Sequence, residues 1–281
     1  MDMDWQLIVP GAAELRTTDL RPAREVRLRP GQPVTALLPE GLWRGQHILT
    51  PADILRAAQA LSGHSLAAHQ EALSRGFLPL PGGHRLGVCG EMDEKGRLRE
   101  ITSLCVRLCH QCPGAGAGIY QAVRGKSCLI IGPPGSGKTT LLRDLTRLHG
   151  LDGYQTAVAD ERGEIAACRD GQPLLDVGPQ CDVVTGLDKA RALPLLIRSM
   201  APQVIATDEL GGPGDAAALG EAAQCGVRVL ATLHGRSVDD VRWRGMDGLL
   251  PLFDVFVLLT APEKAPQVLT QEDATCKEDS P

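Results

Sequence analysis

The chain of 281 residues carries 29 basic and 34 acidic side chains, a formal net charge of −5, with 43% hydrophobic and 22% charged residues. That balance excludes a disordered chain, and the length suits one large domain or, in better accord with domain sizes, two of ordinary size. Only 3% of residues are aromatic, which with the negative charge argues against a base-stacking platform or a global field for nucleic acid.

The start, Met1-Asp2-Met3-Asp4, lacks the basic region of a signal peptide. No apolar run approaches the roughly 20 residues of a membrane helix. A cytoplasmic location is expected, with the nine cysteines present as reduced thiols. Glu25 to Arg29 alternates polar and apolar residues, as a half-exposed strand does. Thr50-Pro51-Ala52-Asp53 then reads as a helix start: Thr50 caps, Pro51 fits the first turn and Asp53 completes a capping box. That helix should reach Leu61, and a second should run from Leu66 to Ser74. Arg85 to Glu91 and Leu98 to Leu104 flank the turn-rich Asp93-Glu94-Lys95-Gly96 and predict a hairpin. The small-residue stretch Pro113 to Gly118 marks the domain boundary. Residues 1–113 are expected to form a smaller α+β domain.

After the boundary, short apolar strands alternate with helical stretches. The strands are Ser127 to Ile131, Thr156 to Ala159, Cys181 to Val184, Val204 to Thr207, Val227 to Thr232 and Asp254 to Thr260. This rhythm predicts an α/β domain over 114–262, with a parallel sheet flanked by helices. The polar residues 263–281 are expected to form a disordered tail.

Within that domain, Gly132-Pro133-Pro134-Gly135-Ser136-Gly137-Lys138-Thr139 fits the phosphate-loop pattern, with Thr140 following. Glycines let backbone N–H groups turn inward around phosphates. Lys138 supplies a point charge, and Thr139 offers a hydroxyl to Mg²⁺. The context fits: an apolar strand ends at Gly132, and Leu141, Leu142, Leu145 and Leu148 lie on one face of a following helix. A chance glycine turn is the alternative, and the complete pattern in this context disfavours it.

Val204 to Thr207 delivers Asp208 and Glu209 at the end of a strand, the edge where parallel sheets bind ligands. Asp208 is read as an Mg²⁺ ligand and Glu209 as the group polarising the attacking water. Neighbours on a strand face opposite ways, so Glu209 is expected to aim differently from Asp208. One strand later, His234 closes a strand expected beside that of the phosphate loop, where it can sense a terminal phosphate.

Taken together, Leu195 to Met200, Pro202 to Glu209, Ala222 to Gly226 and Ala231 to His234 resemble the type II and type IV secretion and pilus-motor ATPases. More closely, the chain resembles the sporulation ATPases of endospore formers. That likeness extends to Gly76-Phe77, Leu80 to Gly87, Pro133 to Asp144, Asp160 to Ala166, Asp176 to Gly178 and Ile197 to Pro202. The resemblance implies a RecA-like core, ATP as the nucleotide, and a hexameric motor on the mother-cell side of the channel to the forespore. It also implies recruitment by a membrane protein of that channel. Lys138 and Thr139 take its Walker A roles, Asp208 and Glu209 its Walker B roles, and His234 its histidine-motif position. Asp160, Glu161 and Glu164 fall on its acidic motif, with Glu164 as the final acid. Two departures stand out: Leu210-Gly211-Gly212 replaces an Arg-Asp pair, and Arg162 replaces a proline. Arg85, Arg162 and Arg198 are candidate arginine fingers, each of which also reads as a surface or packing arginine. The function expected is Mg²⁺-dependent ATP hydrolysis in an oligomer, with a nucleic-acid-dependent RecA-like ATPase as the alternative.

Cys105, Cys109 and Cys112 reproduce the spacing of a four-iron cluster site, with His110 beside them. The phosphate loop follows too soon for a radical-enzyme barrel, and the adjacent His110 strains a zinc site. Small apolar fillers are the favoured reading.

Overall fold

Apolar residues at every second position build the first sheet. The computed structural model describes residues 3–63, 77–94, 98–168, 171–211, 214–261 and 264–275, so the helix expected over 66–74 lies outside the described residues. Two compact units divide the chain, Met1–His110 and Gln111–Pro281.

The first unit begins with α1 (Trp5–Ile8), followed by β1 (Glu25–Leu28), β2 (Pro33–Leu38), β3 (Gly41–Ile48) and α2 (Pro51–Leu61). Strands β4 (Leu78–Pro79), β5 (Arg85–Met92) and β6 (Leu98–Arg107) complete an antiparallel sheet in the order β3-β2-β1-β6-β5-β4. Val26, Leu28, Val34, Ala36, Leu86, Leu104 and Val106 form its inner face against Ile54, Ala57 and Ala58 of α2. The alternate residues Glu25, Arg27 and Arg107 stay outside that core, as a period-two pattern requires. The β2–β3 hairpin was not expected. Its β3 strand, Gly41-Leu-Trp-Arg-Gly-Gln-His-Ile48, sits at the sheet edge with every second residue exposed, so its apolar signal is weak.

The capping box of α2 is present. Thr50 Oγ1 accepts from Asp53 N–H at 3.2 Å, Asp53 Oδ2 accepts from Thr50 N–H at 2.8 Å, and Arg56 donates to Asp53 Oδ1. Burial alone would raise the Asp53 carboxyl, but the Thr50 and Arg56 donors outweigh it and hold the group below the ordinary carboxylate range. Its stabilisation is therefore present above the unfolded value near pH 4 and is lost as pH falls toward the folded value. Asp53→Ala should cost about 1–2 kcal/mol at pH 7. The deficit should shrink below about pH 4, read by urea denaturation at several pH values.

The second unit opens with α3 (Tyr120–Val123), β7 (Cys128–Gly132), α4 (Lys138–Leu151), β8 (Thr156–Asp160) and β9 (Cys181–Thr185). It continues with α5 (Lys189–Met200), β10 (Val204–Thr207), α6 (Asp215–Gln224), β11 (Arg228–His234), α7 (Val238–Trp243), β12 (Val255–Leu258), β13 (Gln267–Thr270) and α8 (Gln271–Thr275). The sheet order is β13-β12-β7-β11-β10-β8-β9, parallel except for β13. Every residue of β7, β8 and β10 is buried, because helices cover both faces of the sheet. Leu129, Ile131, Ile205 and Val229 pack with α5 and α6 on one side. Ile130, Val158, Ala206 and Leu230 pack with Leu141, Leu142 and Leu145 of α4 on the other.

The α/β core with a parallel sheet and a preceding α+β unit stands as expected. The described part of the expected tail departs from that reading: residues 267–270 pair antiparallel with β12, and Ala274 reaches the core. Gln-Val-Leu-Thr is short and follows a proline-containing polar stretch, so composition hid it. Pairing supplies the backbone partners that β12 would otherwise lack on that side.

Candidate functional site

Strand β7 delivers the phosphate loop at the C-terminal edge of the sheet. Its last residue, Gly132, lies opposite His234 in the parallel ladder with β11. Gly135 and Gly137 adopt φ of +74° and +92°, which only glycine takes without strain. A Cβ at Gly132 would lie 2.5 Å from Ser136 Oγ and 2.9 Å from the Leu259 carbonyl oxygen. Gly132→Ala should therefore cost about 1–3 kcal/mol of stability, measured as a shift of the urea midpoint. Pro133 is half-buried and Pro134 exposed. The Ser136 hydroxyl is buried without a hydrogen-bond partner among the described residues. That orphan hydroxyl and the open N–H groups at the start of α4 suit an oxygen-rich anion, so the loop fits a nucleotide phosphate. Thr140 turns aside and lines a small pocket with Arg143, Asp144 and Asp176.

Lys138 is only 7% exposed. Its ammonium donates to the Pro133 carbonyl at 3.0 Å and lies 3.1 Å from His234 Nδ1. Burial lowers the Lys138 pKa, and the charges of Asp208, Glu209 and Glu164 oppose that shift. His234 Nε2 lies 3.0 Å from Glu209 Oε1. With Lys138 donating, Nδ1 accepts, the ring proton sits on Nε2, and His234 donates to Glu209. Arg162 pairs with the other Glu209 oxygen. Lys138, His234, Glu209 and Arg162 thus form one connected chain.

The second arm runs through Asp208. Thr139 Oγ1 donates to Asp208 Oδ2 at 2.8 Å, and Thr232 Oγ1 bonds Asp208 Oδ1. Thr139 and Asp208 are thus adjacent oxygen donors that can hold a divalent cation. Glu209 departs from strand alternation. It lies beyond the end of β10, in the left-handed region at φ +52°, and its carboxylate turns to His234 and Arg162. For a non-glycine residue that conformation costs about 1–2 kcal/mol, which the surrounding hydrogen bonds must offset.

The acidic segment separates into distinct jobs. Asp160 is buried, and its carboxylate accepts four backbone N–H groups, from Glu164, Ile165, Ala166 and Ala167. It organises that turn rather than facing a ligand. Glu161 accepts from Lys189 at 2.8 Å. Glu164 is held by its carbonyl, which accepts from Arg143, and its charge acts on Lys138. Arg143, buried on α4, also donates to the Ile165 carbonyl at 2.6 Å. Arg143 was not singled out from sequence, and Thr232 entered only as part of the Ala231 to His234 stretch, without a role of its own. A charged residue within the apolar α4 pattern, and a threonine two before His234, were the available signals.

Of the candidate fingers, Arg198 pairs with Glu221 on the exposed surface at 3.1 Å. In the first unit, Arg85 sits 4.5 Å above the Phe77 ring and lines a cavity of about 270 Å³ with Arg27, Gly87, Cys105 and Arg107. Cys105 lies on β6 with its sulfur 3.9 Å from Glu25 Oε2, and burial pushes its thiol pKa up. The backbone N–H of Cys109 donates to His84 Nδ1, and His110 Nε2 bonds the Ala23 carbonyl. Among the described residues, no group of three or more His, Cys, Asp or Glu is placed to hold a metal. No helix among them is long and apolar enough to cross a membrane.

The chain matches known proteins in sequence and in fold. The family described as Sporulation stage III, protein AA matches residues 13–274. Stage III sporulation protein AA of Bacillus subtilis (strain 168) is 38% identical over 237 residues, which cover 78% of this chain and 76% of the relative. The fold is similar to that of the ATPase DotB of Yersinia pseudotuberculosis, with a TM-score of 0.65 and 15% identity over 99% of this chain and 84% of DotB. It is also similar to the pilus retraction motor PilT solved with ADP, with a TM-score of 0.63 and 15% identity over 96% of this chain and 83% of PilT. With a RecA-like fold, a family match over residues 13–274 and 38% identity to a relative covered over three quarters of its length, this chain belongs to the Sporulation stage III protein AA family.

Proposed function

We propose that this chain hydrolyses ATP with Mg²⁺ as an oligomer, in a hexameric ring, and so energises the channel between mother cell and forespore during endospore formation. It would work from the cytoplasm, recruited by a membrane protein of that channel. The observation that carries the reading is the connected set Lys138–His234–Glu209 and Thr139–Asp208 at the ends of neighbouring parallel strands. The phosphate loop of Gly132 to Thr139 binds the phosphates through backbone N–H groups, and Lys138 adds a positive charge. Thr139 and Asp208 would hold Mg²⁺, which neutralises charge on the phosphates when bound. Glu209 orients and accepts a proton from the attacking water. His234 holds Glu209 on one side and Lys138 on the other. Glu164 adds a carboxylate whose charge reaches Lys138.

Support for oligomeric motor work comes from family membership and the shared fold. The test is phosphate release from ATP by the full chain, with its mass in solution measured with and without nucleotide. Turnover together with ATP-dependent assembly is expected. Binding and assembly without turnover would overturn the enzymatic reading. Strong stimulation by single-stranded DNA or RNA would point instead to a nucleic-acid-dependent ATPase.

A further inference from the structure

Thr232 stands at the centre of the turn that carries both Walker B acids. It is fully buried on β11, between β7 and β10. Three of its bonds reach residues 208–210. Its hydroxyl bonds Asp208 Oδ1, the same oxygen accepts from Glu209 N–H at 2.8 Å, and its carbonyl accepts from Leu210 N–H at 2.8 Å. A hydroxyl has one proton and two lone pairs. Glu209 N–H can only donate and the Asp208 carboxylate can only accept, so the Thr232 proton goes to Asp208.

We infer that Thr232 is a positioning residue for the Walker B acids. Two consequences follow from its bonds. Its hydroxyl engages Asp208 Oδ1, which leaves Oδ2 to Thr139. It also pins the Glu209 backbone at φ +52°, the conformation in which Oε1 lies 3.0 Å from His234 Nε2. Without the hydroxyl, Glu209 N–H keeps only the 2.9 Å bond to Asp208 Oδ1, and the left-handed turn loses a tether. The acid then relaxes toward the extended backbone that a non-glycine residue prefers and swings from His234. The competing role is that of a β-branched filler, which valine would play equally well. The inference rests on the ATPase reading of the same site.

The test compares Thr232→Val and Thr232→Ser in the full chain. For Thr232→Val, kcat for ATP should fall at least about tenfold while KM stays within about twofold, because an interaction that serves the transition state is lost. Thr232→Ser, which keeps the hydroxyl, should return kcat to within about threefold of wild type. A crystal structure of nucleotide-free Thr232→Val should show the Glu209 carboxylate out of hydrogen-bond reach of His234. Wild-type kcat in Thr232→Val, or Glu209 unmoved in that crystal, would overturn the inference. If Thr232→Val does not fold, Thr232→Ala takes its place, and an Ala variant as fast as the Ser variant overturns the inference. A wild-type chain that hydrolyses no ATP overturns the ATPase reading instead, and the nucleotide-free crystal then decides the positioning by itself.

Discussion

Glu209→Gln should leave nucleotide binding close to wild type while phosphate release falls by about 10²–10⁴-fold. Glutamine keeps the shape of the side chain, and its carbonyl oxygen can still accept from His234 Nε2, 3.0 Å from Oε1 in the native chain. What it loses is the basic oxygen that takes the water proton. It also loses the charge of the pair with Arg162, whose side chain is 59% exposed. Exposed pairs contribute about 0–1 kcal/mol, so folding should change little. Single-turnover phosphate release beside a fluorescent-nucleotide titration separates the two effects. A variant that hydrolyses at the wild-type rate would remove Glu209 from the base role.

The second large effect is expected at Lys138. Lys138→Ala should weaken nucleotide binding at least about tenfold, since hydrogen bonds to charged groups contribute about 1.5–3 kcal/mol. The loss has two parts. The ammonium that would meet the phosphates is gone, and three carboxylates that now share its charge, Asp208, Glu209 and Glu164, are left to repel a polyanion. The bond to His234 Nδ1 disappears as well, so the ring is free to change tautomer and weaken its hold on Glu209. Turnover should therefore fall even at saturating ATP. An unchanged dissociation constant for the nucleotide would contradict the role given to Lys138.

The parts of this site that were legible in the sequence are those whose chemistry demands a residue type at a fixed spacing. Gly135 and Gly137 need positive φ, Lys138 needs a charge at the head of a helix, and Asp208 needs the end of a buried strand. The capping box at Thr50 and Asp53 was readable for the same reason. The strand of His234 was expected beside that of the phosphate loop, and the ladder sets His234 opposite Gly132. What escaped depends on contacts between distant segments. The orientation of Glu209 could not follow from strand periodicity, because the strand ends at Thr207 and the next turn is left-handed. Asp160 looked like one of a pair of acids in a motif. Only the fold shows its carboxylate taken by four backbone N–H groups. Arg143 and Thr232 act through bonds that span 21 and 24 residues, beyond any local pattern. The edge strands β3 and β13 were missed because edge strands need little apolar surface to form.

Steady-state phosphate release from ATP by the purified full chain, with Mg²⁺ and with a chelator in excess, tests ATP hydrolysis at this site most directly. Release should require the cation, and it should fall by about 10²–10⁴-fold in Glu209→Gln while bound nucleotide is retained. Equal rates for wild type and Glu209→Gln at saturating ATP, or release indifferent to the chelator, would contradict catalysis by Glu209 with a cation held at Thr139 and Asp208.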